Sequence, residues 1–249
     1  MNPTTQTPTL PARRTLVHLG ALRFSVAQFL VALVLLLVTE PFVEQMEYGT
    51  AIESGLLTLV MLSAVLAIGA GRRTLVWAIV LVIPAVAGRW AHHVAPDQFP
   101  LQFAVGAGLV FLLFVVVNLL GFILRAPRVT TEVLCAGVAT YLMLGLLWGL
   151  AYLLVNRLAP GSFVFTVGPI AKQSMVGFNG LYFSFITLST VGYGDIVPVS
   201  PAARMLAMTE ATVGTVYMAV LISRLVALYS SESTNEQKEK EDEDKNQTD

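Results

Sequence analysis

Residues 187–198 read Thr-Leu-Ser-Thr-Val-Gly-Tyr-Gly-Asp-Ile-Val-Pro, and the stretch from Thr190 to Asp195 governs how the rest of the chain is read. At average residue usage, a given six-residue string arises by chance at on the order of one site in ten million. Gly192 and Gly194 alternate with larger residues. Glycine enters the positive-φ region closed to most L-residues, so a backbone built this way can turn successive carbonyls toward one line. A row of carbonyl oxygens suits a cation that has shed its water. Thr190 can add a hydroxyl oxygen at the inner end. Val191 and Tyr193 are expected to point outward and wedge the loop in place. Asp195 falls at the outer mouth, where its carboxylate can accept hydrogen bonds behind the loop.

The preceding residues predict a short helix, roughly Phe178 to Ser189. Its C-terminal end faces the loop, and the partial negative charge there favours a cation. The run from Gln173 to Gly194 is uncharged and long enough to be mistaken for a membrane span. It contains Gly177, Asn179, Gly180, Ser184, Thr187, Ser189 and Thr190, a poor lipid-facing set. Irregular backbone at membrane depth is tolerated only when covered by protein or lining a watery cavity, so a re-entrant loop fits and a spanning helix does not.

The chain of 249 residues is 55% hydrophobic and only 12% charged, a balance that argues against a soluble domain. Six stretches approach the length of about 20 residues that a bilayer requires. They lie near Ala21–Thr39, Ser54–Ala70, Thr74–His93, Leu101–Leu124, Val133–Asn156 and Ala202–Leu228. Arg13, Arg14, Arg23, Arg72, Arg73, Arg125, Arg128 and Arg224 fall on one side of this arrangement. The positive-inside rule makes that side cytoplasmic. Glu40, Glu44 and Glu47 fall outside, with the 187–198 loop. Arg89, Arg157, Lys172 and Arg204 lie near the outer boundary, where long side chains can snorkel. Thr15–Phe24 is expected along the inner membrane surface. Thr-Glu-Pro-Phe after Val38 is no cleavage site, so the first helix is expected to be retained. Cys135 is the single cysteine and excludes an intrachain disulfide.

The Thr190–Asp195 string resembles the selectivity filter of the tetrameric potassium channel family. The wider pattern is similar to its members with six transmembrane helices and one pore loop per subunit, prokaryotic ion channels among them. The likeness covers roughly residues 131–229 and is strongest from Leu181 to Pro198. It implies an all-α integral membrane fold with six transmembrane helices, a re-entrant pore helix and a filter, assembled with three identical subunits as a homotetramer. In the established mechanism of that family, four loops replace the hydration shell of potassium with rings of backbone oxygens. Carried onto this chain, potassium binds at Thr190, Val191, Gly192 and Tyr193, with Gly194 completing the filter. Potassium is then the permeant ion, and no cofactor, nucleic acid or enzymatic reaction is implied.

Asp195, Tyr182, Phe183 and Ile186 occupy the places that support the filter. The family usually has paired aromatics in the pore helix, here Tyr182 and Phe183. The second is often a tryptophan that bonds the filter aspartate, and Phe183 cannot donate that bond to Asp195. Ile186 stands where some channels have a glutamate, so the hydrogen-bonded cuff is expected to be partly changed.

The implied organisation is an N-terminal cytoplasmic segment (1–20), a four-helix peripheral domain similar to a voltage sensor without gating charges (21–125), a pore domain (126–229) and a disordered charged tail (230–249). Residues 1–12, rich in Pro and Thr, are also expected to be disordered. The tail holds eight acids and three lysines and offers no core-forming pattern. Both termini are expected on the cytoplasmic side of the cell membrane. About twenty polar residues follow the sixth stretch, too few for a cytoplasmic ligand-binding domain.

Gly214 lies 24 residues after Thr190, either as a gating hinge or as a point of close packing against the outer helix. Thr215, Met218, Ile222 and Val226 share one helical face, either lining the inner cavity or packing against helices. Leu101–Leu124 carries no basic residue. Each charge crossing the field contributes about 2.3 kcal/mol per 100 mV, so the fourth helix supplies no steep voltage dependence. The first four helices then form a structural collar or sense pH, lipid, tension or a separate subunit. His92 and His93 are the residues for a pH sensor. Glu210, an acid inside the sixth stretch, is expected either to brace the pore helix through a hydroxyl such as Thr187 or to be packed in its protonated form. Asn118 is expected to bond between helices, and Gly145 and Gly149 to allow close helix packing. The competing functions are a non-selective cation channel, which would not need the intact Gly-Tyr-Gly core, and a potassium transporter component, which would carry four pore repeats.

Overall fold

The computed structural model describes residues 15–43, 46, 48–68, 71–95, 100–167 and 173–248. Residues 1–12, Arg13, Arg14, Glu44, Glu47, Lys172 and the Arg23 side chain fall outside what is described. In chain order the elements are α1 (Thr15–Val43), α2 (Gly49–Ile68), α3 (Arg72–Val94), α4 (Leu101–Arg125), α5 (Thr131–Leu158), β1 (Phe163–Phe165), α6 (Phe178–Leu188), β2 (Ile196–Pro198) and α7 (Pro201–Thr248). Six of these helices are long and apolar enough to cross a membrane, and α6 is the short apolar helix between the last two.

Local chemistry sets the boundaries of the pore-side helices. α4 stops at Arg125, just before Ala126-Pro127, where the proline excludes the helical conformation from its predecessor. α5 restarts behind Thr130, whose hydroxyl accepts the Val133 N–H at 3.4 Å, with Glu132 in the positively polarised first turn. α7 begins with Pro201 behind Ser200, whose hydroxyl accepts the Ala203 N–H at 3.2 Å.

Three features differ from the sequence expectations. α1 is continuous from Thr15, so Thr15–Phe24 belongs to the first helix and is not a separate surface segment. α7 continues to Thr248 through the segment expected to be disordered. Its glutamate, lysine and glutamine residues are good helix formers, and extending an existing helix avoids the unfavourable nucleation step. The all-α outline also gains a two-stranded antiparallel sheet, pairing Phe163 with Pro198, Val164 with Val197 and Phe165 with Ile196.

α1 packs on α2 and α5, α3 on α2 and α4, and α4 on α5, while α6 is held between α5 and α7. The common core joins Phe29, Leu33 and Leu36 of α1 to Phe111 and Val115 of α4 and Met143 of α5. Lipid tails are as apolar as these side chains, so close van der Waals packing must hold such helices together. Fully buried Ala64, Ala78, Ala136 and Ala139 permit the close backbone approach that this requires.

Candidate ion-conduction site

The candidate site is the loop between α6 and β2. At the end of α6, Ser189 N–H bonds the Phe185 carbonyl and Thr190 N–H bonds the Thr187 carbonyl, both at 3.0 Å. The N–H groups of Val191 and Gly192 then both point back to the Ile186 carbonyl, at 2.8 and 3.1 Å. In a trans peptide the N–H and C=O point in opposite directions. The carbonyls of Thr190 and Val191 therefore project away from α6, on the same side.

φ is +60° at Thr190, +53° at Gly192 and +80° at Gly194, while Val191 and Tyr193 keep negative φ. This alternation of hand turns over successive peptide planes. The glycines adopt the region expected of them. Thr190 does so against the preference of its side chain, and residues of this kind persist where neighbouring structure over-determines them. The side chains of Val191 and Tyr193 are 54% and 72% exposed on the single chain, rather than wedged within it.

Asp195 organises the outer turn. Its Oδ2 accepts the Tyr182 hydroxyl at 2.7 Å and its Oδ1 accepts the Ile196 N–H at 3.0 Å. The cuff is thus changed in its donor. Phe183 cannot donate, but Tyr182 supplies a donor from the preceding position. The bond to Asp195 raises the pKa of the Tyr182 hydroxyl to about 12. The Asp195 carbonyl also accepts the Thr166 N–H at 2.8 Å, and the Thr166 hydroxyl lies 3.1 Å from the same oxygen. The short sheet therefore stitches the segment before α6 to the exit of the loop.

Phe183 serves through packing. It meets Tyr152 and Phe163 edge to face, at centroid distances of 4.8 and 5.6 Å. Such contacts add about 0.5–1.5 kcal/mol beyond the area they bury. Ile186 contributes a buried side chain to this cluster and, through its carbonyl, the anchor of the loop.

Behind α6, Glu210 is fully buried. Its partner on α6 is the Ser184 hydroxyl, at 2.5 Å, in place of the Thr187 hydroxyl expected from the sequence. The Tyr152 hydroxyl donates to the other carboxyl oxygen. Tyr152 and Ser184 were missed as partners because a single tyrosine or serine in an apolar helix carries no sign of its direction. The shared signal was one polar residue at similar depth in each of three helices.

α7 packs tightly on α6 at Gly214, where a Cβ would collide with the Leu188 carbonyl. This is close packing, but on the pore helix instead of the outer helix, and α7 is unbroken there. Gly145 likewise admits the Phe185 ring, and Gly149 packs on Leu181. Thr215, Met218, Ile222 and Val226 are exposed on the single chain. Midway along α7, the Arg224 guanidinium donates to the carbonyls of Leu124 and Ala126, at 3.2 and 2.8 Å. It thereby ties α7 to the end of α4.

Two expectations in the peripheral helices need correction. Arg89 does not simply snorkel: it pairs with Glu53 at 2.6 Å and donates to the Ser54 hydroxyl at 3.1 Å. Pairing satisfies a charge that would otherwise be costly at the membrane boundary. The Asn118 amide donates to the Phe114 carbonyl of its own helix at 2.7 Å, one turn back, so the bond is made within α4. His92 and His93 lie in the last turn of α3.

Residues 129–231 match a protein family described as "Ion channel". "Protein LctB" of Bacillus caldotenax is 33% identical over 102 residues, covering 40% of this chain and 74% of that protein. "Two pore potassium channel c" of Oryza sativa subsp. japonica is 35% identical over 68 residues, or 27% of this chain and 14% of that protein. "Inward rectifier potassium channel Kirbac3.1" of Paramagnetospirillum magnetotacticum is 31% identical over 94 residues, or 36% of this chain and 27% of that protein. The chain thus spans about a seventh of the rice channel and about a quarter of the inward rectifier. No solved structure matches.

Proposed function

Because the chain belongs to the ion channel family that includes these potassium channels, we propose that it forms a potassium-selective, passive channel in the cell membrane. Four identical chains surround a central pore, since one chain supplies only a quarter of each oxygen ring. The residues that bind potassium are Thr190, Val191, Gly192 and Tyr193, and Gly194 allows the loop to turn outward to Asp195. The observation that carries this reading is the double anchoring of the Val191 and Gly192 N–H groups on Ile186, which frees the Thr190 and Val191 carbonyls to face an ion.

In the tetramer, the exposed Val191 and Tyr193 side chains meet neighbouring subunits and wedge the loop. Residues 126–229 form the pore unit, and residues 21–125 form a peripheral collar without gating charge in its fourth helix. Thr215, Met218, Ile222 and Val226 line the cavity below the filter, both termini lie in the cytoplasm, and opening is not steeply voltage-dependent. Gly214 acts through its close approach to Leu188. Liposomes containing the purified protein test the reading. A potassium gradient should charge them and an equal sodium gradient should not, and the intact complex should have the mass of four chains. Equal charging by both gradients rejects the selectivity.

A further inference from the structure

The Ser184 hydroxyl lies 2.7 Å from the Gly145 carbonyl and 2.5 Å from Oε1 of Glu210, and both Ser184 and Glu210 are fully buried. A hydroxyl has one proton to donate. The Gly145 carbonyl has none, so its contact is a hydrogen bond only if Ser184 donates to it. Oε1 of Glu210 must then be the donor to Ser184. The Tyr152 hydroxyl donates to Oε2, which completes the set. With an ionised Glu210, the one Ser184 proton would have two acceptors at contact distance, and either the Gly145 carbonyl or the carboxylate oxygen would face a lone pair of Ser184. The proton count therefore calls for the neutral acid. Among the described residues, no cation bonds this carboxyl. On α5 the titratable neighbours are Tyr152 and, farther off, Tyr141. On α6, Tyr182 is committed to Asp195, and on α7, Arg204 is committed to the Pro198 carbonyl.

We propose that Glu210, held as the neutral acid, is a positioning residue for conduction. It pins Ser184 of the pore helix to α5 and α7 at once. Ser184 lies two residues before Ile186, whose carbonyl anchors Val191 and Gly192. The proton on Glu210 thus fixes the height of the helix end that orients the filter carbonyls. Deprotonation removes the donor to Ser184 and loosens that support. This inference rests on the channel reading for its effect on current, but its protonation state is measurable without any current.

The test compares the full-length protein with E210Q, E210A and S184A in lipid bilayers. In infrared spectra at neutral pH, wild type minus E210Q should show the carbonyl band of a protonated carboxylic acid. Carboxylate bands alone overturn the proposal, whether or not the protein conducts. Potassium currents supply the second readout. Glutamine keeps an N–H for Ser184 and a carbonyl for Tyr152, so E210Q should stay within about twofold of wild type, whereas E210A should fall about tenfold, the scale on which losing buried hydrogen bonds acts. S184A, which retains the acid but removes its acceptor, should lower the current severalfold and supplies the readout if E210A does not assemble. Alkaline solution below pH 10, where the Tyr182–Asp195 bond is intact, should reduce wild-type current and leave E210Q unchanged. E210Q impaired as much as E210A, or E210Q sharing the alkaline loss, rejects the neutral-acid role, and undiminished current in E210A and S184A rejects positioning. Wild-type protein that shows the acid band but carries no potassium would instead reject the channel reading.

Discussion

Tyr182 donates its hydroxyl to the Asp195 carboxylate at 2.7 Å, linking the middle of the pore helix to the outer turn of the filter loop. The bond joins two segments that diverge at Ser189 and meet again at the mouth. A buried or half-buried hydrogen bond to a charged acceptor contributes about 1.5–3 kcal/mol, so Y182F should lower the melting temperature of the assembled protein. A double-mutant cycle with D195N is the check. The double variant should be little worse than either single one, and additive losses would show that the two residues act separately.

The same bond sets an alkaline limit. The Tyr182 pKa is raised from 10.0 to about 12, so the neutral donor is favoured in the folded state. Its contribution is fully present below pH 10 and is lost as pH rises through about 12. Absorbance titration of tyrosinate in wild type and Y182F should therefore differ by a late-titrating group in the wild type.

Gly194 holds φ at +80°, where an L-residue is disfavoured by roughly 1–2 kcal/mol. In the proposed tetramer, G194A repeats that strain in every copy. Potassium current should fall sharply or lose its preference over sodium, as measured by permeability ratios. Unchanged ratios would mean that the carbonyls at this level do not contact the ion.

Gly214 offers a choice between packing and hinge motion. A Cβ there collides with the Leu188 carbonyl, and overpacking of this kind costs about 1–3 kcal/mol. G214A should therefore reduce the thermal stability of the assembly along with its current. A hinge role would instead alter open probability while leaving stability intact.

α4 carries no basic residue before Arg125. With about 2.3 kcal/mol available per charge per 100 mV, it contributes no steep gating. The conductance–voltage relation should be shallow, and R125Q should leave it so.

Much of this fold was legible because its signals were strong and local. The six apolar stretches and the short helix at Phe178 all recur as helices, with bounds close to those expected except that α1 begins at Thr15 and α7 runs on to Thr248. Membrane helices satisfy their own backbone, so length and hydropathy alone reveal them. The partners of Asp195 and Glu210 were harder to read, since they depend on the facing of Tyr182, Ser184 and Tyr152, which a sequence without helix rotations does not specify. The pairing of residues 163–165 with 196–198 was hidden for another reason. Three-residue strands are too short to show alternation, and Thr166 meets Asp195 only because the intervening helix folds back. The helical run to Thr248 shows the opposite error, where composition outweighed the ease of extending a helix already formed.

The most direct test of the central claim is current through the purified protein in a planar bilayer, with potassium on one side and sodium on the other, during a voltage ramp. The account predicts a reversal potential displaced far toward the potassium equilibrium value. A reversal near zero would contradict it, because the Thr190–Tyr193 carbonyls would then not distinguish potassium from sodium.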